Sequence, residues 1–223
     1  MRTVIFDLDG TLADTSGDLL AAANACFRAM GAGDVLHPAT DAATALRGGK
    51  AMLTLGLTRL GRMDAALVER FYPMLLEAYG AAIDHHTVLY PGAIEAVEEL
   101  GALGYGVGIC TNKPEALAEK LMTSLGVRGA FGALVGADTL TVRKPDPAPL
   151  IETARRLGGD PRHTVLIGDS VTDRETARSA GVPSVLVTFG PSGEDMAALH
   201  PEALLDDFGD LAALVQRLIG RNS

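Results

Sequence analysis

Tryptophan is absent from this sequence, and cysteine nearly so, with only Cys26 and Cys110. Two thiols cannot build the disulfide framework on which small secreted domains rely. Their scarcity predicts reduced cysteines and a cytoplasmic location. No apolar run approaches the roughly 20 residues of a membrane-spanning helix, so no membrane association is expected. Asp7 and Asp9 interrupt the apolar start, which does not read as a signal peptide. Excess basic charge is also lacking: 19 Lys and Arg face 28 Asp and Glu, a formal net charge of −9. That balance argues against a nucleic-acid partner. It leaves small anionic substrates open, because they respond to the local field of a cleft. Internal repeats and low-complexity tracts are missing too.

The 223 residues are 48% hydrophobic, enough for one large domain or a core with a smaller insert. The most informative stretch is Val4-Ile5-Phe6-Asp7-Leu8-Asp9-Gly10-Thr11. It reads as a buried strand running into a turn. In a strand, residues i and i+2 point to the same side, so Asp7 and Asp9 are expected to converge at the strand's carboxyl end. Ligands of open α/β sheets bind there. Two adjacent carboxylates repel each other and call for a hard cation with oxygen ligands, for which Mg²⁺ is suited.

From about Asp18 to Ala82 the pattern is helical throughout, with four segments and no strand alternation. It predicts a helical insert. After a return linker over 83–90, helices alternate with apolar strands at Tyr105–Cys110, Ala133–Gly136, Thr164–Ile167 and Ser184–Val187. This alternation predicts a parallel, Rossmann-like sheet with helices on both faces. The expected division is a core of residues 1–15 and 87–223 and a helical domain of residues 16–86. Polar residues recur just after the strands: Asp7 and Asp9, Thr111 and Asn112, then Asp169 and Asp173. Lys144 precedes a helix after a further strand. Each has an ordinary explanation. Asp-Gly is a common turn dipeptide, lysine is normally solvated, and Asp169 and Asp173 suit the start of a helix. Their joint occurrence at successive strand ends points instead to one crevice. Cys110 reads as strand packing, and His85-His86 as a solvated turn without further metal ligands.

These residues resemble the signatures of the haloacid dehalogenase superfamily of phosphatases. Asp7-Leu8-Asp9-Gly10-Thr11 matches the first signature and Thr111 the second. Lys144 within Arg143-Lys144-Pro145-Asp146-Pro147 matches the third, and Gly168-Asp169-Ser170 with Asp173 the fourth. The insert resembles the helical cap of one subfamily. Asp14–Leu19, Thr111–Ala116 and Gly136–Leu140 resemble the phosphoglycolate phosphatase branch. The resemblance implies that Asp7 is a nucleophile forming an aspartyl-phosphate and that Asp9 is the general acid and base. It implies Mg²⁺ held by Asp7, Asp9 through its backbone carbonyl, Asp169 and Asp173. Thr111, Asn112 and Lys144 would bind the phosphoryl group. Arg47 and Lys50 flank Gly48-Gly49 at a helix start, which favours anions. They are expected to read the carboxylate of a small phosphorylated metabolite such as 2-phosphoglycolate. Other small phosphates, or a β-phosphoglucomutase-like transfer, are the alternatives. The chain is expected to act as a monomer or homodimer.

Overall fold

The structure is a computed structural model that describes residues 1–191 and 195–220. In chain order the elements are β1 (Thr3–Phe6), β2 (Ala13–Asp14), α1 (Ser16–Ala29), α2 (Pro38–Leu46), α3 (Gly49–Arg59), α4 (Ala65–Ala81), β3 (Val88–Leu89), α5 (Ala93–Ala102), β4 (Gly106–Cys110), α6 (Glu115–Ser124), β5 (Ala133–Val135), α7 (Ala148–Arg156), β6 (Thr164–Gly168), α8 (Val171–Ala180), β7 (Ser184–Val187), β8 (Ala203–Leu205) and α9 (Leu211–Ile219). The chain divides into two compact units, Met1–Ala13 with Leu89–Ser223, and Asp14–Val88. The segments β2 and β3, where the chain passes between the units, pair as a two-stranded sheet.

The first unit is the α/β fold expected from the alternation. Its six strands run in the order β5-β4-β1-β6-β7-β8, and β1 pairs in parallel with β4 on one side and β6 on the other. Phe6 lies opposite both Ile109 and Ile167, so the carboxyl ends of these strands are level. The strands read as unbroken apolar runs because both of their faces are covered. Val4, Ile5, Phe6, Val165, Leu166 and Ile167 are all fully buried. Helices α7 and α8 pack together, as do α5 and α9, and Ile5, Cys110, Leu150, Ala154, Leu166 and Ala177 form one core cluster. Cys110 is thus a core residue, and burial pushes its thiol up to about 12, out of reach of thiolate chemistry at neutral pH. The strand order reverses at β1, which makes the adjoining strand ends the natural place for a ligand.

The second unit contains helices α1–α4, held by a few buried polar groups. Asn24 in α1 accepts from the backbone N–H groups of Val35 and Leu36 and donates to the Leu36 carbonyl. Asp41 accepts from the His37 N–H and from both ends of the Arg59 guanidinium, at 2.7 and 2.6 Å. This pair holds the Asp41 carboxyl down at about 2. Buried Asp18 accepts from the backbone N–H groups of His86 and Thr87 and from the Thr87 hydroxyl, fastening the return segment to α1. Among the described residues, no helix is long and apolar enough to cross a membrane.

Three short strands, β2, β3 and β8, escape the apolar pattern because they span only two or three residues and bury few of them. Helix α3 starts at Gly49, within the Gly48-Gly49 pair. Gly48 adopts φ +95°, a conformation glycine allows, and starts the helix there.

Candidate active site

Strand β1 ends at Phe6, and Asp7 is the first residue beyond it. The chain then closes into a tight turn in which the Leu8 carbonyl accepts from the N–H groups of Thr11, Leu12 and Ala13. Gly10 takes φ +82° in this turn. Because the strand has ended, the expected alternation no longer applies to Asp9. The two acidic side chains take different partners. Asp7 Oδ2 lies 3.0 Å from Lys144 Nζ, whereas Asp9 Oδ2 lies 2.9 Å from Lys113 Nζ. The Leu8 N–H donates to Asp7 Oδ1 at 2.7 Å, fixing the Asp7 carboxylate from the other side.

Lys144 comes from the segment between β5 and α7, and its side chain is 1% exposed. Its ammonium also bonds Asp173 Oδ1 at 2.7 Å. Burial opposes this charge, but Asp173 and Asp7 outweigh it and hold the ammonium above its usual range. Asn112, after β4, donates from Nδ2 to the Lys144 carbonyl at 3.0 Å and so supports this segment. Asp169 and Asp173 follow β6. Asp173 Oδ2 accepts from the Ser170 hydroxyl at 2.6 Å and from the Asp169 N–H, and Asp169 Oδ1 accepts from the Thr11 hydroxyl at 3.1 Å. Gly168 makes room for this: a Cβ there would lie 2.3 Å from Asp173 Cγ. Buried Thr111 continues β4, its N–H donating to the Val135 carbonyl and its hydroxyl accepting from the Lys113 N–H.

Single carboxylate oxygens of Asp7, Asp169 and Asp173 lie within 4.8 Å of one another. Burial raises the Asp7 carboxyl to about 6, with Lys144 opposing and the Asp173 and Asp9 charges adding to the rise. Burial and the Asp173 charge push Asp169 well above the usual carboxylate range. Carboxylates in this state ask for further positive charge, and an oxygen-only donor set fits a hard divalent cation. The acidic triad can hold a metal ion. The Asp9 carboxylate lies outside it, engaged with Lys113.

Asp7, Asp9, Thr111, Asn112, Lys144, Asp169 and Asp173 thus all belong to the α/β unit, at the carboxyl ends of β1, β4 and β6 and before α7. Arg47 and Lys50 belong to the helical unit. Both are exposed, Arg47 in the turn joining α2 and α3 and Lys50 in the first turn of α3. Lys50 Nζ lies 2.6 Å from Glu69 Oε1 and 5.2 Å from the Tyr72 ring centroid. Lys113 was not among the residues expected at the site. Its one sequence-level signal is its position directly after Thr111-Asn112.

A doubly covered parallel sheet with an acidic, lysine-bridged cluster at its switch point is an α/β arrangement suited to anionic chemistry. The profile of the haloacid dehalogenase-like hydrolases matches residues 1–181. The chain belongs to this family, and it is an enzyme of the hydrolase class. The phosphoglycolate phosphatase of Agrobacterium fabrum is 35% identical over 98% of this chain and 94% of its own length. That of Mesorhizobium japonicum is 38% identical over 97% of this chain and 96% of its own. A Haemophilus somnus protein, whose crystal structure is described as that of a predicted phosphoglycolate phosphatase, superposes with a TM-score of 0.85 at 25% identity. It covers 97% of this chain and 98% of its own.

Proposed function

We propose that the protein hydrolyses phosphomonoesters through an aspartyl-phosphate on Asp7, with Mg²⁺ as cofactor and 2-phosphoglycolate as substrate. The observation that carries this reading is the Lys144 ammonium bridging Asp7 and Asp173 within a metal-competent acidic group. A carboxylate approaching a phosphate dianion faces roughly 8 kcal/mol of repulsion at ~4 Å and an effective dielectric of ~20. Asp7, Asp169 and Asp173, with the Asp9 backbone carbonyl, would hold the Mg²⁺ ion, whose charge offsets much of that repulsion when bound.

The chain's own groups then act in order. Lys144 and the Leu8 N–H fix the Asp7 carboxylate, and one of its oxygens attacks phosphorus. The Thr111 hydroxyl, the Asn112 N–H and Lys144 stabilise the transferring phosphoryl oxygens. Asp9 gives a proton to the departing alkoxide, then takes one from the water that hydrolyses the aspartyl-phosphate. The helical unit, residues 16–86, serves as the cap, with Arg47 and Lys50 reading the substrate carboxylate.

The test is phosphate release from 2-phosphoglycolate with Mg²⁺, run beside sugar phosphates, nucleotides and pyrophosphate, with Asp7→Asn as blank. A kcat/KM for phosphoglycolate about a hundredfold above the others, a discrimination of ~2.7 kcal/mol, supports the whole reading. A flat panel removes the substrate assignment and leaves the chemistry. Unchanged KM in both Arg47→Ala and Lys50→Ala removes the role of these two residues.

A further inference from the structure

Lys113 has no place in the chemistry above, yet its side chain is 3% exposed and its ammonium lies 2.9 Å from Asp9 Oδ2. Lysine is almost never fully buried without a partner, and burying its charge is costly. Its backbone is tied on both sides. The Lys113 N–H donates to Thr111 Oγ1 at 3.2 Å, and its carbonyl accepts from the Ala137 N–H at 2.9 Å. These bonds anchor it to the ends of β4 and β5. Asp9 is equally constrained, because the turn carrying it is closed by the Leu8 carbonyl and by the Gly10 N–H donating to the Ala13 carbonyl at 2.9 Å. Two hydrogen-bonded segments therefore meet at a buried charged contact. Each acid of the Asp7/Asp9 pair has its own ammonium: Lys144 for Asp7, Lys113 for Asp9.

We infer that Lys113 is the positioning residue for Asp9, holding its carboxylate where it exchanges protons with the leaving oxygen and with water. The inference rests on the acid–base role given to Asp9 above. Proton transfer by a side chain depends on hydrogen-bond geometry, and an acid that swings between rotamers loses much of its effect. Lys113 touches no reacting atom in this role and acts through Asp9 alone.

The dependence on the leaving group separates positioning from mere structure. An alkoxide needs its proton as it departs, whereas p-nitrophenolate leaves as a stable anion. In the Mg²⁺-loaded full chain, Lys113→Met is expected to lower kcat/KM for ethyl phosphate by about 10²-fold. The loss with p-nitrophenyl phosphate is expected to be a few-fold at most. Lys113→Arg, which keeps the charge, should recover most of the ethyl phosphate activity, and Asp9→Asn should show the same leaving-group pattern as Lys113→Met. Circular dichroism confirms folding; if Lys113→Met does not fold, Lys113→Gln takes its place. Equal losses on both esters, or none, would overturn the inference. So would a defect confined to the KM for 2-phosphoglycolate, which makes Lys113 a reader of the substrate carboxylate. Asp9→Asn with unchanged rates on both esters overturns the acid–base reading itself, whatever Lys113→Met does.

Discussion

Replacing Lys144 by methionine removes the charge that bridges the acidic cluster and leaves a side chain of similar length. The ammonium lies 2.7 Å from Asp173 and 3.0 Å from Asp7. At an effective dielectric of ~20, each contact is worth roughly 5–6 kcal/mol of gross attraction, against which stands the cost of burying the ammonium. Breaking a buried pair from one side typically costs about 3–5 kcal/mol, because the partner charge is left uncompensated. Here the uncompensated charges stand beside a third carboxyl, Asp169. We therefore expect Lys144→Met to lose about 3–5 kcal/mol of stability at pH 8 in the presence of a chelator. The loss should shrink towards pH 5. A carboxyl raised in the folded state binds its proton more tightly there than in the unfolded chain, so its burden on stability is full above the folded pKa and lifts as pH falls. Asp7 already sits at about 6 with Lys144 present, so the window lies from about 6 upwards in the variant. Mg²⁺ should restore part of the loss at pH 8, because binding to the folded protein alone stabilises it. With no tryptophan in the chain, urea unfolding is followed by far-ultraviolet circular dichroism. A loss under about 1 kcal/mol, the size expected of an exposed pair, would refute the reasoning. A loss equal at pH 5 and pH 8 would do the same.

Gly168→Ala places a methyl 2.3 Å from Asp173 Cγ, and should cost about 1–3 kcal/mol through overpacking. By moving Asp173 it should also raise the Mg²⁺ concentration needed for half-maximal activity at least several-fold, read from a metal titration. The Asp41 carboxyl, held at about 2 by Arg59, contributes stability that is full above the unfolded carboxyl range near 4 and fades as pH falls towards 2. With the guanidinium 38% exposed, the contribution is discounted to about 1–2 kcal/mol. Asp41→Asn should lose that amount at pH 7 and nothing below about pH 2, as measured by urea unfolding across pH. Asp18→Ala strips the acceptor from three donors of His86 and Thr87. Proteolytic nicking between residues 83 and 88 should accelerate at least tenfold in time courses, since local opening rises tenfold for every ~1.4 kcal/mol lost.

Much of the α/β unit was legible because buried parallel strands leave continuous apolar runs and the polar residues that end them stand out. Asp7, Thr111 and Asp169 could be picked in this way. Lys113 could not, because lysine before proline at a helix start normally marks solvated surface. Its burial comes from the meeting of two turns far apart in sequence. The pairing of Asp9 with Lys113 was hidden for a related reason. Strand alternation predicts a shared side for Asp7 and Asp9, but β1 stops at Phe6, and the Leu8-centred turn decides where Asp9 goes. In the helical unit the glycines at 48 and 49 marked a break. That Gly49 packs closely against the Tyr72 and Leu75 side chains of α4 depends on tertiary packing that no local pattern records.

The central claim is that Asp7 carries the phosphoryl group. The most direct measurement is acid quenching of the enzyme during turnover of 2-phosphoglycolate with Mg²⁺, followed by mapping of the phosphorylated peptide by mass spectrometry. The account predicts phosphate on Asp7, accumulating further in Asp9→Asn, where water lacks its base, and absent in Asp7→Asn. Turnover retained by Asp7→Asn, or phosphate trapped on another residue, would contradict it.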